Sequence, residues 1–142
     1  MEIDKFHLWP FDDDKFSNAK ASVLVDFSYL SYCGELTVRK FMRNNNILTY
    51  KLFDEALACR IDDITIISFS GLKFKHKKEI IENFSETSQS NSYDGKIHTK
   101  FKLKFAEIFP NIKHWLELHS TDRIYFVGHS IGAVFSTLSA VE

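Results

Sequence analysis

Apolar side chains recur along this chain first at helical spacing, then in short continuous runs, then at helical spacing again. Between residues 18 and 32, Ala21, Val25, Phe27 and Leu30 supply the apolar side of a helix, with Asn18 as its cap and Gly34 ending it. A shorter helix over residues 35–43 stops at Asn44-Asn45-Asn46. Residues 47–53 and 61–69 predict strands, the second read as the apolar run of a sheet covered on both faces. Phe101, Phe105, Ile108, Phe109, Ile112 and Trp115 return to helical spacing, with Pro110 marking a break or a new first turn. After a turn at Ser120, Thr121 and Asp122, the β-branched and aromatic run Arg123-Ile124-Tyr125-Phe126-Val127 predicts another strand. Ala133, Val134, Phe135, Leu138 and Val141 then fit a mostly buried helix. This order predicts an α/β fold with a mainly parallel central sheet flanked by helices, and it contains no internal repeat.

The last strand and helix are joined by Gly128-His129-Ser130-Ile131-Gly132, a G-x-S-x-G pentapeptide. A serine on a sharp strand-to-helix turn presents its hydroxyl outward, and small residues two positions to either side let the helix approach the strand. Ser130 is therefore the candidate nucleophile, and Gly128, His129 and Gly132 complete the elbow. The bland alternative is a glycine-containing turn whose serine has no chemical task. A membrane span is the other alternative, because residues 124–141 contain no Asp, Glu, Lys or Arg over a length at which a span is considered. Two glycines, His129 and the hydroxyls of Ser130, Ser136, Thr137 and Ser139 make that stretch a poor match to hydrocarbon, so no transmembrane segment is expected.

Composition narrows the rest. With 142 residues, 44% of them hydrophobic and 15% aromatic, the chain suffices for one cored domain and not for two. A net charge of −1 gives no reason to expect nucleic acid as a partner, and Lys100, Lys102 and Lys104 between Phe101, Leu103 and Phe105 are explained by the polar side of a helix. The amino terminus has neither a basic start nor an apolar run, so no secretory signal is seen and a cytoplasmic location is the expectation. Cys33 and Cys59 form no disulfide framework or metal-ligand spacing and read as small buried apolar side chains; no metal or cofactor is expected.

Several segments together resemble, in order, the amino-terminal part of a class 3 (fungal-lipase-type) lipase of the α/β-hydrolase superfamily. Gly128-His129-Ser130-Ile131-Gly132-Ala133 is similar to that family's G-H-S-L-G-G elbow. Ile66-Ile67-Ser68-Phe69-Ser70-Gly71-Leu72 resembles the strand ending in an F-R-G-T type turn. Lys96-Ile97-His98-Thr99-Lys100-Phe101 is similar to the K-V-H-x-G-F segment, and Ser28-Tyr29-Leu30-Ser31-Tyr32-Cys33 to an early helix that often ends in Y-C. The resemblance covers residues 20–142, leaving residues 1–19 as an amino-terminal extension. It implies a lipase- or esterase-like serine hydrolase of lipid or acyl esters that works through an acyl-enzyme on Ser130. The backbone N–H groups of Leu72 and Ile131 are the implied oxyanion-hole donors.

The departures from the family pattern are chemically pointed. Ser70 stands where the family usually has arginine, Leu72 where it usually has a hydroxyl residue, and Lys100 where it usually has glycine. Hydrolases with this elbow place their acid and their histidine after the serine, yet only 12 residues, 131–142, follow Ser130. The expectation is an α/β-hydrolase domain truncated after the elbow and inactive by itself. His98 is the base to weigh within the chain, although its segment resembles a structural one; His114 and His119 read as surface residues, and His129 as packing. Residues 72–84 occupy the place of a lid, and their basic and apolar side chains suit a lipid surface or, more blandly, a solvated loop and short helix. The competing function is a noncatalytic lipid-surface or protein-binding module on a degraded hydrolase fold.

Overall fold

The computed structural model describes residues 10, 11, 13, 15–71, 88–90 and 96–142, and the proposed lid at 72–84 and the oxyanion donor Leu72 lie outside them. Two helices open the chain, α1 (Asn18–Leu30) and α2 (Glu35–Asn44). Three strands follow, β1 (Thr49–Leu52), β2 (Ala56–Ile61) and β3 (Ile64–Phe69). A small antiparallel pair, β4 (Ser88–Ser90) and β5 (Lys96–His98), precedes α3 (Thr99–His119). Strand β6 (Arg123–Gly128) and helix α4 (Ile131–Ser139) complete the order.

The central sheet has the order β1-β2-β3-β6 and is mixed, which corrects the expectation of a mainly parallel sheet. β1 with β2 and β2 with β3 are antiparallel, and only β3 with β6 is parallel. The discrepancy arises at one hairpin. Residues 56–61 are alanine- and cysteine-containing and lack the β-branched signature of a strand. Every apolar side chain of Ala56, Leu57, Ala58 and Cys59 is nonetheless buried. The predicted strand over 61–69 is in fact interrupted by a two-residue turn at Asp62 and Asp63, where Asp62 takes φ 51°. Aspartate tolerates that left-handed conformation because its short side chain can bond locally.

Side chains alternate strictly across the sheet and divide the core in two. Leu57, Cys59, Ile64 and Ile66 face α1 and α2, meeting Val23, Phe27, Leu30, Val38, Phe41 and Met42. Ala58, Ile67 and Phe69 face the other way, against Phe105, Ile108, Ile112 and Trp115 of α3 and Phe135 of α4. Burying each large apolar side chain contributes about 1.5–3 kcal/mol, so burial on both faces explains why β3 is apolar at Ile64, Ile66, Ile67 and Phe69, with the buried hydroxyls of Thr65 and Ser68 between them.

Helix ends depart from the predicted ones for local reasons. Ser17, not Asn18, caps α1, its Oγ accepting the Lys20 N–H at 3.1 Å. Gly34 supplies the extended residue before α2 rather than the end of α1. Pro110 neither breaks nor restarts α3, which is continuous across it. Its missing N–H leaves the Ala106 carbonyl without the usual intrahelical donor, but both residues lie on the exposed side, where water can take the bond.

The segment ahead of α1 is packed onto the sheet. Phe11 is buried with its ring edge-on to Tyr125 at 5.1 Å. Arg123 of β6 donates to the Phe11 carbonyl at 3.0 Å and pairs with Asp63. The ammonium of Lys20, only 4% exposed, binds the Asp13 carboxylate and the carbonyls of Asp13 and Lys15. The hydrogen bond from Lys20 holds the Asp13 carboxyl below its ordinary range. Lys20→Met is expected to lower the unfolding midpoint by about 2–8 °C at neutral pH, measured by thermal melts. Because Asp13 has its lowered pKa only in the folded state, its contribution is present above the unfolded value and lost as the pH falls through the folded one. The gap between wild type and Lys20→Met should therefore narrow at pH 3, and a gap that widens there would contradict this assignment.

Candidate functional site

The carboxyl ends of the parallel pair β3 and β6 converge on one spot. Their register runs from Ile64 opposite Arg123 to Phe69 opposite Gly128, and the ladder ends there. Beyond it one strand continues into Ser70 and Gly71 and the other into His129 and Ser130. Ser130 adopts φ 59°, ψ −126°, a left-handed backbone that a residue with a Cβ occupies at a cost of about 1–3 kcal/mol. Immediately after it the chain enters α4. This is the sharp strand-to-helix turn that the pentapeptide predicts, with Ser130 exposed at its tip.

Both elbow glycines are required by close backbone approach. A Cβ on Gly132 would overlap the Phe69 carbonyl oxygen and sit 3.0 Å from the Ser70 carbonyl carbon. On Gly128, a Cβ would overlap the Gly132 carbonyl and reach 2.8 Å from the Ala133 nitrogen. Gly71 faces the elbow from the other strand, where a Cβ would overlap the Tyr32 hydroxyl and stand 3.1 Å from the Ser130 Cβ.

Two backbone hydrogen bonds close the turn. The N–H of Gly132 bonds to the His129 carbonyl and that of Ala133 to the Ser130 carbonyl, each at 3.0 Å. The Ile131 N–H, first in α4, has no acceptor among the described residues. It therefore lies at the positive end of the helix dipole beside an exposed hydroxyl, an arrangement that attracts developing negative charge. The Gly71 N–H is engaged, donating to the Tyr32 hydroxyl at 2.7 Å. Ser70 donates its N–H to the Glu55 carbonyl at 2.9 Å, and its buried Oγ has no partner among the described residues.

The histidines take separate places. The Ser130 hydroxyl has no hydrogen-bond partner among the described residues. His129 points its Nδ1 to the Tyr32 hydroxyl at 3.1 Å, away from a role as base. His98 precedes the first turn of α3 and packs on Phe101 at 5.2 Å between ring centroids. His114 is exposed beside Glu117, and His119 lies against the Trp115 ring. Cys33, one residue past Tyr32, is no substitute nucleophile, since burial pushes its thiol up and Sγ donates to the Tyr29 carbonyl at 3.7 Å.

A groove of about 480 Å³ opens near the same end of the sheet, between residues 51–56 and the middle of α3. Its walls carry Lys51, Asp54, Glu55, Glu107 and Asn111. Lys104 crosses beside it, 2.9 Å from Glu55 and 3.1 Å from Glu107, and the hydrogen bond to Glu55 raises its proton affinity.

The Tyr32 contacts are the part of this arrangement that sequence reasoning missed. Tyr32 entered that reading only as part of a Y-C ending, and no local signal ties it to residues 39 and 97 positions away. Strain and close packing at the elbow predict opposite responses to two small substitutions. Ser130→Gly should raise stability by about 1 kcal/mol, because glycine adopts φ 59° without the Cβ clash. Gly132→Ala should lower it by about 3 kcal/mol, the upper end of overpacking costs. Urea unfolding of both variants checks the pair, and a neutral Gly132→Ala would contradict the packing argument.

No curated protein and no solved structure matches the chain. The family model described as Lipase (class 3) matches residues 66–142, more than half of the chain and the stretch that holds the last four residues of β3 and the elbow. The chain therefore belongs to the class 3 lipases, a family of the α/β-hydrolase fold.

Proposed function

We propose that this lipase-family chain is built for ester hydrolysis by covalent catalysis, with Ser130 as the nucleophile that accepts an acyl group from a lipid or smaller acyl ester. The observation that carries this reading is the strained, exposed Ser130 at the amino end of α4, held there by glycines at both required positions. Strain of that kind persists only where the surrounding structure enforces it. In the proposed step the Ser130 oxygen attacks the ester carbonyl, whose oxygen takes negative charge; the acyl C–O bond then breaks, the alcohol leaves with the proton that Ser130 gives up, and water later cleaves the acyl-serine to the free acid and Ser130. The Ile131 N–H is the donor that meets the oxyanion from the elbow side. The Leu72 N–H, outside the described residues, is the proposed second donor.

A serine hydroxyl needs a base to take its proton, and among the described residues none is bonded to Ser130. That observation favours a second reading, a noncatalytic module that retains the fold and the lipid-facing surface. Among the described residues no helix is long and apolar enough to cross a membrane, so contact with lipid would be made at a surface.

The two readings separate in one experiment on residues 1–142. The catalytic reading expects a fluorophosphonate to form a covalent adduct on Ser130, located by peptide mass spectrometry and abolished by Ser130→Ala. Hydrolysis of a short p-nitrophenyl ester should exceed the water reaction by only about 1,000- to 10,000-fold, the residue left when an oxyanion hole acts without a complete triad. An unmodified Ser130, or an adduct that survives Ser130→Ala, would leave the noncatalytic module as the surviving reading.

A further inference from the structure

We propose that Tyr32 is the positioning residue of the Ser130 site, its hydroxyl fixing the distance between the end of β3 and the elbow. This inference rests on the reading of Ser130 as nucleophile. It starts from a gap in the backbone bonding. The β3–β6 ladder stops at Phe69 and Gly128, and among the described residues no backbone hydrogen bond joins residues 70–71 to residues 129–131. The two chain ends therefore leave the sheet side by side, with no backbone hydrogen bond between them among the described residues.

Tyr32 supplies the tie from a third element, the turn after α1. Its hydroxyl accepts the Gly71 N–H at 2.7 Å on one side. On the other it lies 3.1 Å from His129 Nδ1 and 3.3 Å from the His129 carbonyl oxygen. The Tyr32 ring meets the His129 ring edge-on at 6.0 Å. A phenol has one proton and two lone pairs, and this placement uses them. One lone pair takes the Gly71 N–H. The proton goes either to Nδ1 or to the carbonyl, and in the second case Nδ1–H donates to the remaining lone pair. Both arrangements bridge Gly71 to the residue that precedes Ser130, so the bridge survives either histidine tautomer.

The position of the bridge gives it a chemical consequence. Gly71 precedes the proposed donor at residue 72, and His129 lies one residue before the nucleophile and two before the donor Ile131. A shift of about 1 Å in such groups can cost on the order of 100-fold in rate. The bridge also commits the Gly71 N–H, which is thereby withheld from the oxyanion, while the Ile131 N–H has no acceptor among the described residues. Tyr32 touches neither reacting atom in this scheme and acts through Gly71 and His129.

The test compares wild type, Tyr32→Phe, Gly71→Ala and the double variant in residues 1–142. Fluorophosphonate labelling of Ser130 is followed against probe concentration, with thermal melts of each variant. Tyr32→Phe keeps the ring and removes the bridge, so its maximal labelling rate should fall roughly 5- to 10-fold with the half-saturating concentration unchanged, as for a lost transition-state arrangement. Gly71→Ala pushes a Cβ into the hydroxyl, and its effect should be smaller in the Tyr32→Phe background, giving a nonadditive cycle. In amide hydrogen exchange, which needs no turnover, Gly71 should lose protection in Tyr32→Phe. Wild-type maximal labelling by a folded Tyr32→Phe, an additive cycle or an unchanged Gly71 exchange rate would each overturn the proposal. Failure of the nucleophile reading shows separately, as a wild-type adduct on some residue other than Ser130. Should Tyr32→Phe fail to fold, amide exchange of the wild type decides the matter: a Gly71 N–H that exchanges at the unprotected rate overturns the proposal, and a protected one supports it.

Discussion

The backbone of α4 meets the backbone of β3 at Gly132, where even a methyl group would overlap the Phe69 carbonyl. Everything at the site depends on that approach. It lets α4 begin directly over the end of the sheet, which forces the reversal at Ser130 and its left-handed backbone. It also aims the free Ile131 N–H and the positive end of the helix at the space above the parallel pair. Gly128 extends the same constraint one turn back, since it lies against the Gly132 carbonyl.

Holding a strained turn in place requires rigid surroundings, and the two cores provide them. On one face α3 and α4 bury Phe105, Ile112, Trp115 and Phe135 against Ile67 and Phe69. On the other, α1 and α2 cover Leu57, Ile64 and Ile66. Polar side chains fasten the margins: the Ser68 hydroxyl donates to the Phe27 carbonyl at 2.8 Å, and Thr65 meets Thr121 at 3.0 Å. The turn after α1 is thereby fixed relative to β3, which is the condition for Tyr32 to reach Gly71 and His129 together.

Membership of the class 3 lipases accounts for the strand-to-helix turn at Ser130, while Ser70 and Leu72 depart from the pattern that surrounds it. At position 70 a small buried hydroxyl stands where the family pattern has a long cation. From Ile124 to Val141 the chain carries no Asp, Glu, Lys or Arg, and His129 is its one histidine. In such surroundings, fixed dipoles and hydroxyls do the orienting that charged groups perform elsewhere.

How much of this was legible in advance depended on how local the cause was. The elbow was readable from five residues, because glycine at 128 and 132 answers a steric demand made within one turn of chain. The helix at α3 was readable from the spacing of Phe105, Ile108, Ile112 and Trp115, although its passage through Pro110 depended on which side water could reach. Strand β2 was not readable: alanine and cysteine carry no β signature, and only burial between β1 and β3 makes residues 56–61 a strand. With β2 unseen, a sheet that is largely antiparallel was expected to be parallel. The bridge from Tyr32 lay further out of reach, because it joins residues 39 and 97 positions apart through a single hydroxyl. Sequence by itself determined the turn that bears Ser130 and the class of chain that surrounds it. Tertiary structure alone decided the strand directions and what holds the two sides of the site together, since contacts between distant residues leave no periodic trace in the chain.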